Sequence, residues 1–193
     1  MDAYDVLAYK KEFLKGVKGF ILDFDGTLVD SMPFWHIRPR PDPAVYPNFH
    51  DFMSFHYGED IAPKPYAVEF LRFLKENGIK ACICSDTPRK ISEPFFKKYP
   101  EFDELALFYL GSDEVGSSKY DSPKLYFEAA SRMGLSVDEC CVMEDYLSSS
   151  TMAKSGGFKV IAVYDDISRD DMFALKHLCE GYVYNFQKLY MGF

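Results

Sequence analysis

From residue 80 onward the chain alternates between short runs of uninterrupted apolar residues and longer stretches whose apolar positions recur at helical spacing. The apolar runs predict strands over Lys80–Ser85, Leu105–Leu110, Glu139–Glu144, Lys159–Tyr164 and Tyr182–Tyr184, with an earlier one over Lys18–Phe24. The intervening segments predict helices over Pro65–Asn77, Pro88–Lys98, Ser122–Met133, Ser148–Ser155 and Ser168–Cys179, and an amphipathic helix over residues 2–15. Strands that are apolar on both faces and separated by helices are the signature of a parallel sheet covered on each side. The expected fold is therefore α/β: a doubly wound, mostly parallel sheet with helices on both faces.

Residues 33 to 63 interrupt this rhythm. They hold Pro33, Pro39, Pro41, Pro43, Pro47 and Pro63 among Phe34, Trp35, Tyr46, Phe49, Phe52, Phe55 and Tyr57. Phe49, Phe52 and the Phe55/His56 pair fit one helical face, and the aromatic set is rich enough to pack a small lid on its own. His50 and His56, six residues apart without a thiol partner, are poorly spaced for zinc and read as packing residues.

In an open parallel sheet the ligand crevice lies beyond the carboxyl ends of the strands. The first strand ends in Asp23-Phe24-Asp25, the second in Ser85-Asp86 and the fourth in Glu144-Asp145, while the third leads through a polar loop to Lys119. Acids, a hydroxyl and a lysine are thus delivered to one edge.

The run Asp23-x-Asp25-Gly26-Thr27-Leu28-Val29-Asp30-Ser31 resembles the first motif of the haloacid dehalogenase-like hydrolase superfamily. Cys82–Arg89, Lys119–Leu135 and Cys140–Gly157 resemble its second, third and fourth motifs, in the family's order. The resemblance extends to the β-phosphoglucomutase and phosphatase branch, with a reduced cap. It implies a core of residues 1–31 and 64–193, and a small cap over 32–63.

The same resemblance implies a magnesium-dependent phosphatase acting through an aspartyl-phosphate on Asp23, with Asp25 as general acid and then base. Ser85 would bond a phosphoryl oxygen, and Lys119 would hold both the phosphate and Asp23. Lys124 is a rival for that position, because three residues rather than two separate Lys119 from Pro123. Magnesium would be held by Asp23, the backbone carbonyl of Asp25 and Asp145, with Glu144 either a ligand or an orienting acid. Gly26 and Thr27 belong to the tight turn and, with Asp86, His36 and Arg38, form the expected substrate side. Tyr146 is a further candidate for the pocket wall. A phosphomutase on a sugar phosphate and a non-catalytic binding module are the competing readings.

Charge and composition narrow the partners. A net charge of −8 and a pI near 5 exclude a general binder of nucleic acid or anionic membranes, but not of one small phosphorylated metabolite. Five cysteines without C-x-x-C spacing read as buried thiols in a reducing compartment, and no apolar run reaches membrane-spanning length. The expected setting is cytoplasmic, as a monomer or homodimer.

Overall fold

The structure is a computed structural model that describes residues 14–38 and 40–190. The helix expected over residues 2–15 falls almost wholly outside them. Six strands, β1 Gly19–Asp23, β2 Lys80–Ser85, β3 Tyr109–Gly111, β4 Cys140–Glu144, β5 Lys159–Val163 and β6 Gly181–Val183, form one sheet in the order β3-β2-β1-β4-β5-β6. Every pairing is parallel. The order reverses at β1, so the crevice expected of such sheets opens where β1 sits between β2 and β4.

Alternation along β1 explains why it is buried on both faces. Phe20, Leu22 and Phe24 join one apolar cluster, whereas Ile21 joins the other with Cys82, Cys84 and Val142. Register then sets the site: Asp23 pairs with Cys84 and Leu22 with Met143, which brings Ser85 and Glu144 level with the tip of β1.

The helices are α1 Met32–Trp35, α2 Phe49–Glu59, α3 Ala67–Glu76, α4 Arg89–Lys98, α5 Glu101–Leu105, α6 Ser112–Val115, α7 Lys124–Met133, α8 Leu147–Ser155, α9 Met172–Leu178 and α10 Gln187–Tyr190. The strand expected over Leu105–Leu110 is corrected. Pro100 opens helix α5, three acids fill its first turn, and Phe102 anchors it in the core, so the ladder begins only at Tyr109. The apolar run is continuous in sequence, but its first residue closes a helix and Leu107 is exposed.

The insertion leaves and rejoins the core as an antiparallel pair. Asp30 donates its N–H to the Ala62 carbonyl, and Lys64 to that of Leu28 at 2.9 Å. Its helix α2, capped by the Asn48 side chain on the Asp51 amide at 3.0 Å, lies against α4. The buried residues of α2 are Phe52, Met53 and Tyr57, whereas Phe55 is half exposed. The helix is therefore rotated from the Phe49/Phe52/Phe55 face expected from spacing. The insertion's aromatics pack on one another, Tyr46 on Phe52, Phe49 on Phe52 and Trp35 on Phe49, and through Tyr57 they merge with Phe24, Phe95 and Phe96 in the main core. Burial of three such side chains contributes on the order of 1.5–3 kcal/mol each.

Candidate active site

The first site residue is placed by the core. Asp23 ends a fully buried strand and is itself buried. Thr27 Oγ1 donates to Asp23 Oδ2 at 3.0 Å, and Lys119 Nζ donates to Oδ1. Lys119 also donates to Glu144 Oε1 at 2.8 Å, and Glu144 accepts from Tyr126 Oη and Ser149 Oγ, each at 2.8 Å. Lys124, the rival, sits exposed at the start of α7. The extra residue between Lys119 and Pro123 is accommodated by the loop's own anchor, in which Asp86 accepts from the Lys119 amide at 3.0 Å and from Ser118 Oγ.

Asp145 follows β4 and is buried, and its Oδ2 has no hydrogen-bond partner among the described residues. Gly26, at φ +84°, packs against that oxygen: a Cβ there would come within 2.2 Å of Asp145 Oδ2. A left-handed backbone and a close approach both require glycine at this position.

Asp23, Glu144 and Asp145 each offer an oxygen, and these lie within 4.8 Å of one another. Three carboxylates and one ammonium leave a formal charge of −2 inside the protein. The electrostatics register this deficit. Burial, then the neighbouring Glu144 charge, pushes the Asp23 carboxyl well up, and the same causes push Asp145 up to about 8. Burial opposes the Lys119 charge, but Asp23 and Glu144 outweigh it and hold the ammonium above its ordinary range. An unpartnered buried oxygen, hard carboxylate donors and a missing double positive charge fit a divalent cation such as Mg²⁺. Glu144 has its oxygens engaged by three donors, which suits an orienting acid better than a ligand.

Asp25 lies two residues from Asp23, in a different environment. Gly26 turns the chain so that its N–H reaches the Val29 carbonyl at 3.0 Å, and the Asp25 side chain meets four hydroxyls. Oδ1 accepts from Ser31 at 2.6 Å and from Tyr57, and Oδ2 accepts from Thr87 at 2.7 Å and Ser85 at 3.3 Å. Trp35 Nε1 donates in turn to Tyr57 Oη at 3.2 Å. Burial and the Asp25 charge push the Tyr57 phenol up, so it remains a donor. Tyr57 and Thr87 are site residues that sequence reasoning missed. Thr87 stands beside the recognised Ser85-Asp86 pair; Tyr57 had no local signal, being placed by the docking of α2.

These groups open into a cavity of about 380 Å³. Asp23, Asp25, Ser85, Asp86, Lys119 and His36 line it, as do Trp35, His50, Tyr120 and Thr87. Thr27 is buried behind Asp23 and is not on the wall, so it holds the carboxylate rather than facing substrate. Arg38 is exposed and donates to the Ile37 carbonyl at 2.7 Å, away from the cavity. Tyr146 is not on the wall either; its ring meets that of Tyr120.

Residues 41–157 match the family model described as haloacid dehalogenase-like hydrolase. Over 105 residues, 54% of this chain and 27% of the relative, the sequence is 32% identical to a bifunctional riboflavin kinase/FMN phosphatase of Arabidopsis thaliana. The chain spans between 27% and 49% of the length of the curated relatives it matches. Among solved structures, CbbY from Rhodobacter sphaeroides in complex with phosphate superposes with a TM-score of 0.72 at 17% identity, covering 90% of this chain and 96% of that one. A family IA, variant 3 hydrolase from Entamoeba histolytica superposes with a TM-score of 0.71 at 18% identity, covering 89% and 95%.

Proposed function

The chain belongs to the haloacid dehalogenase-like hydrolase family, and on that premise we propose that it is a Mg²⁺-dependent phosphatase acting on a small phosphorylated metabolite. The observation that carries this reading is the buried cluster of Asp23, Glu144 and Asp145 with Lys119, which reaches through Asp23 and Lys119 a cavity also lined by Asp25 and Ser85. The Arabidopsis relative carries a phosphatase activity in its name. Asp23, Asp145 and the Asp25 backbone carbonyl would hold the ion. When bound, Mg²⁺ supplies the positive charge that lets a phosphoryl group approach these carboxylates.

Asp23 Oδ attacks phosphorus, forming the aspartyl-phosphate as the ester oxygen departs. Lys119 neutralises charge on both Asp23 and the transferred group, and Ser85 Oγ turns from Asp25 to a phosphoryl oxygen. Asp25 takes up a proton from solvent as its hydroxyl donors turn to substrate, gives it to the leaving oxygen and then takes one from the water that cleaves the intermediate. Residues 32–63 serve as the cap, fixed to the core through α2. A phosphomutase would have to shield the same intermediate from water while its substrate turns over. The short insertion favours hydrolysis.

The test is phosphate release from a metabolite panel with and without Mg²⁺, beside Asp23→Asn. Release that needs the ion and falls by about 10³-fold or more in the variant is expected, as for removal of a nucleophile. Release indifferent to both chelation and the substitution would refute the assignment.

A further inference from the structure

Beyond the phosphoryl end, the cavity wall has an unusual lack of permanent positive charge. Among the described residues that line it, Lys119 is the single lysine or arginine, and Asp23 and Glu144 already engage it. Neither arginine of the insertion lines the cavity: Arg38 donates to the Ile37 carbonyl, and Arg40 lies over the Phe49 ring at 4.0 Å from its centroid and donates to the Trp35 carbonyl at 3.5 Å. Asp25 and Asp86 add negative charge to the wall. A second phosphoryl or carboxylate group on a substrate would meet two acids and no uncommitted lysine or arginine on the wall, a repulsive placement.

What the outer wall does supply is apolar and aromatic surface. Met32, Trp35, Pro88 and Tyr120 line it, with the imidazoles of His36 and His50 at the exposed side. Trp35 is held in place by its N–H bond to Tyr57 and an edge contact with Phe49 at 5.6 Å. A rigid indole loses little freedom on stacking, and imidazoles both donate to and accept from neutral hydroxyls or ring heteroatoms. A cavity of about 380 Å³ has room for a phosphoryl group and a ring-bearing alcohol.

We infer that the substrate is a monophosphate ester of a neutral, ring-bearing alcohol whose ring lies against Trp35. This rests on the phosphatase reading above and names its substrate class.

Trp35 is the single tryptophan in the chain, so its fluorescence reports on the wall directly. The experiment titrates Mg²⁺-loaded Asp23→Asn, which need not turn over, with uridine 5′-monophosphate, riboflavin 5′-phosphate, glycerol 3-phosphate and fructose 1,6-bisphosphate. Absorption by the ligands is corrected for. The two ring-bearing monophosphates should quench Trp35 and bind about tenfold or more tighter than the other two. In the active protein their kcat/KM should lead by a similar factor.

Trp35→Ala should narrow that lead about fivefold or more, and Trp35→Phe, which keeps a ring, should retain most of it. Tighter binding of the bisphosphate, especially if Arg40→Ala removed it, would overturn the inference. So would the absence of quenching by either ring-bearing ligand, or an equal loss on all four substrates in Trp35→Ala. Quenching without phosphate release from any substrate would instead defeat the phosphatase reading and leave the ring site standing.

Discussion

Asp23 and Asp25 are separated by one residue on one strand end, yet the protein treats them differently. Asp23 is enclosed by charges, with Lys119 bonded to it and Glu144 and Asp145 nearby, in a pocket with a formal deficit of two positive charges. Asp25 is enclosed by neutral hydroxyls from the turn, the insertion helix, the end of β2 and the loop after it, which fill both of its oxygens. The first environment leaves buried negative charge that its own side chains do not balance. The second is complete in itself, and holds the carboxylate through donors that can rotate away when substrate arrives. One backbone turn at Gly26 separates an acid crowded by other buried charges from one surrounded by neutral donors.

Removing the cation on the Asp23 side should have the largest effect. Lys119→Met leaves three buried carboxylates without their ammonium, and breaking a buried ion pair from one side typically costs about 3–5 kcal/mol. Chemical denaturation in the absence of Mg²⁺ should show that loss, with phosphate release abolished. Retained stability would mean that the cluster does not hold its charges as drawn.

Gly26→Ala attacks the turn that divides the two environments. Its Cβ would meet Asp145 Oδ2 at 2.2 Å in a backbone that disfavours alanine. Displacement of Asp145 should raise the Mg²⁺ requirement by about tenfold or more, comparable to loss of a group that orients a metal site. A Mg²⁺ titration of activity measures this; an unchanged midpoint would detach Asp145 from the ion.

The charge deficit also predicts a pH signature for the metal-free protein. Asp23 and Asp145 have carboxyls raised above the unfolded value near pH 4, Asp145 to about 8. Between those limits the folded state holds more protons than the unfolded one, so stability falls as pH rises, by up to about 1.4 kcal/mol per pH unit for each proton retained. Saturating Mg²⁺ should flatten the slope across pH 5–8. Thermal melts at several pH values with and without the ion would show it, and parallel curves would contradict the deficit.

On the Asp25 side the effect should be milder. Tyr57→Phe removes one of four donors and leaves the Trp35 N–H without its acceptor, a loss of about 1–3 kcal/mol in stability. Turnover of an alkyl phosphate should fall about three- to tenfold with KM little changed, and that of an aryl phosphate with a good leaving group should fall less. Equal losses on both would mark Tyr57 as structural only.

The apolar runs and their alternation with helices made the parallel sheet legible, because burial on both faces leaves a continuous signal in each strand. Asp23, Ser85 and Asp145 were legible for the same reason, each lying at or just past the end of such a strand, whereas Lys119 lies in the loop between α6 and α7 and was legible through the resemblance. The strand expected at Leu105 was misplaced because an apolar run does not reveal whether its first residue closes a helix. The place of Arg38 was not legible, because a cation in an insertion is common to solvent and to substrate sites, and spacing does not separate the two.

From sequence alone one could determine which side chains reach the carboxyl edge of the sheet, since period-two alternation and element ends are local properties. Only the tertiary structure decided how they are shared out. The roles of Tyr57, Thr27 and Asp86 depend on the docking of α2 against α4, on the turn at Gly26 and on the loop that ends at Lys119. Hydrogen bonds across tens of residues are set by packing in three dimensions, and the order of residues along the chain carries no direct record of them.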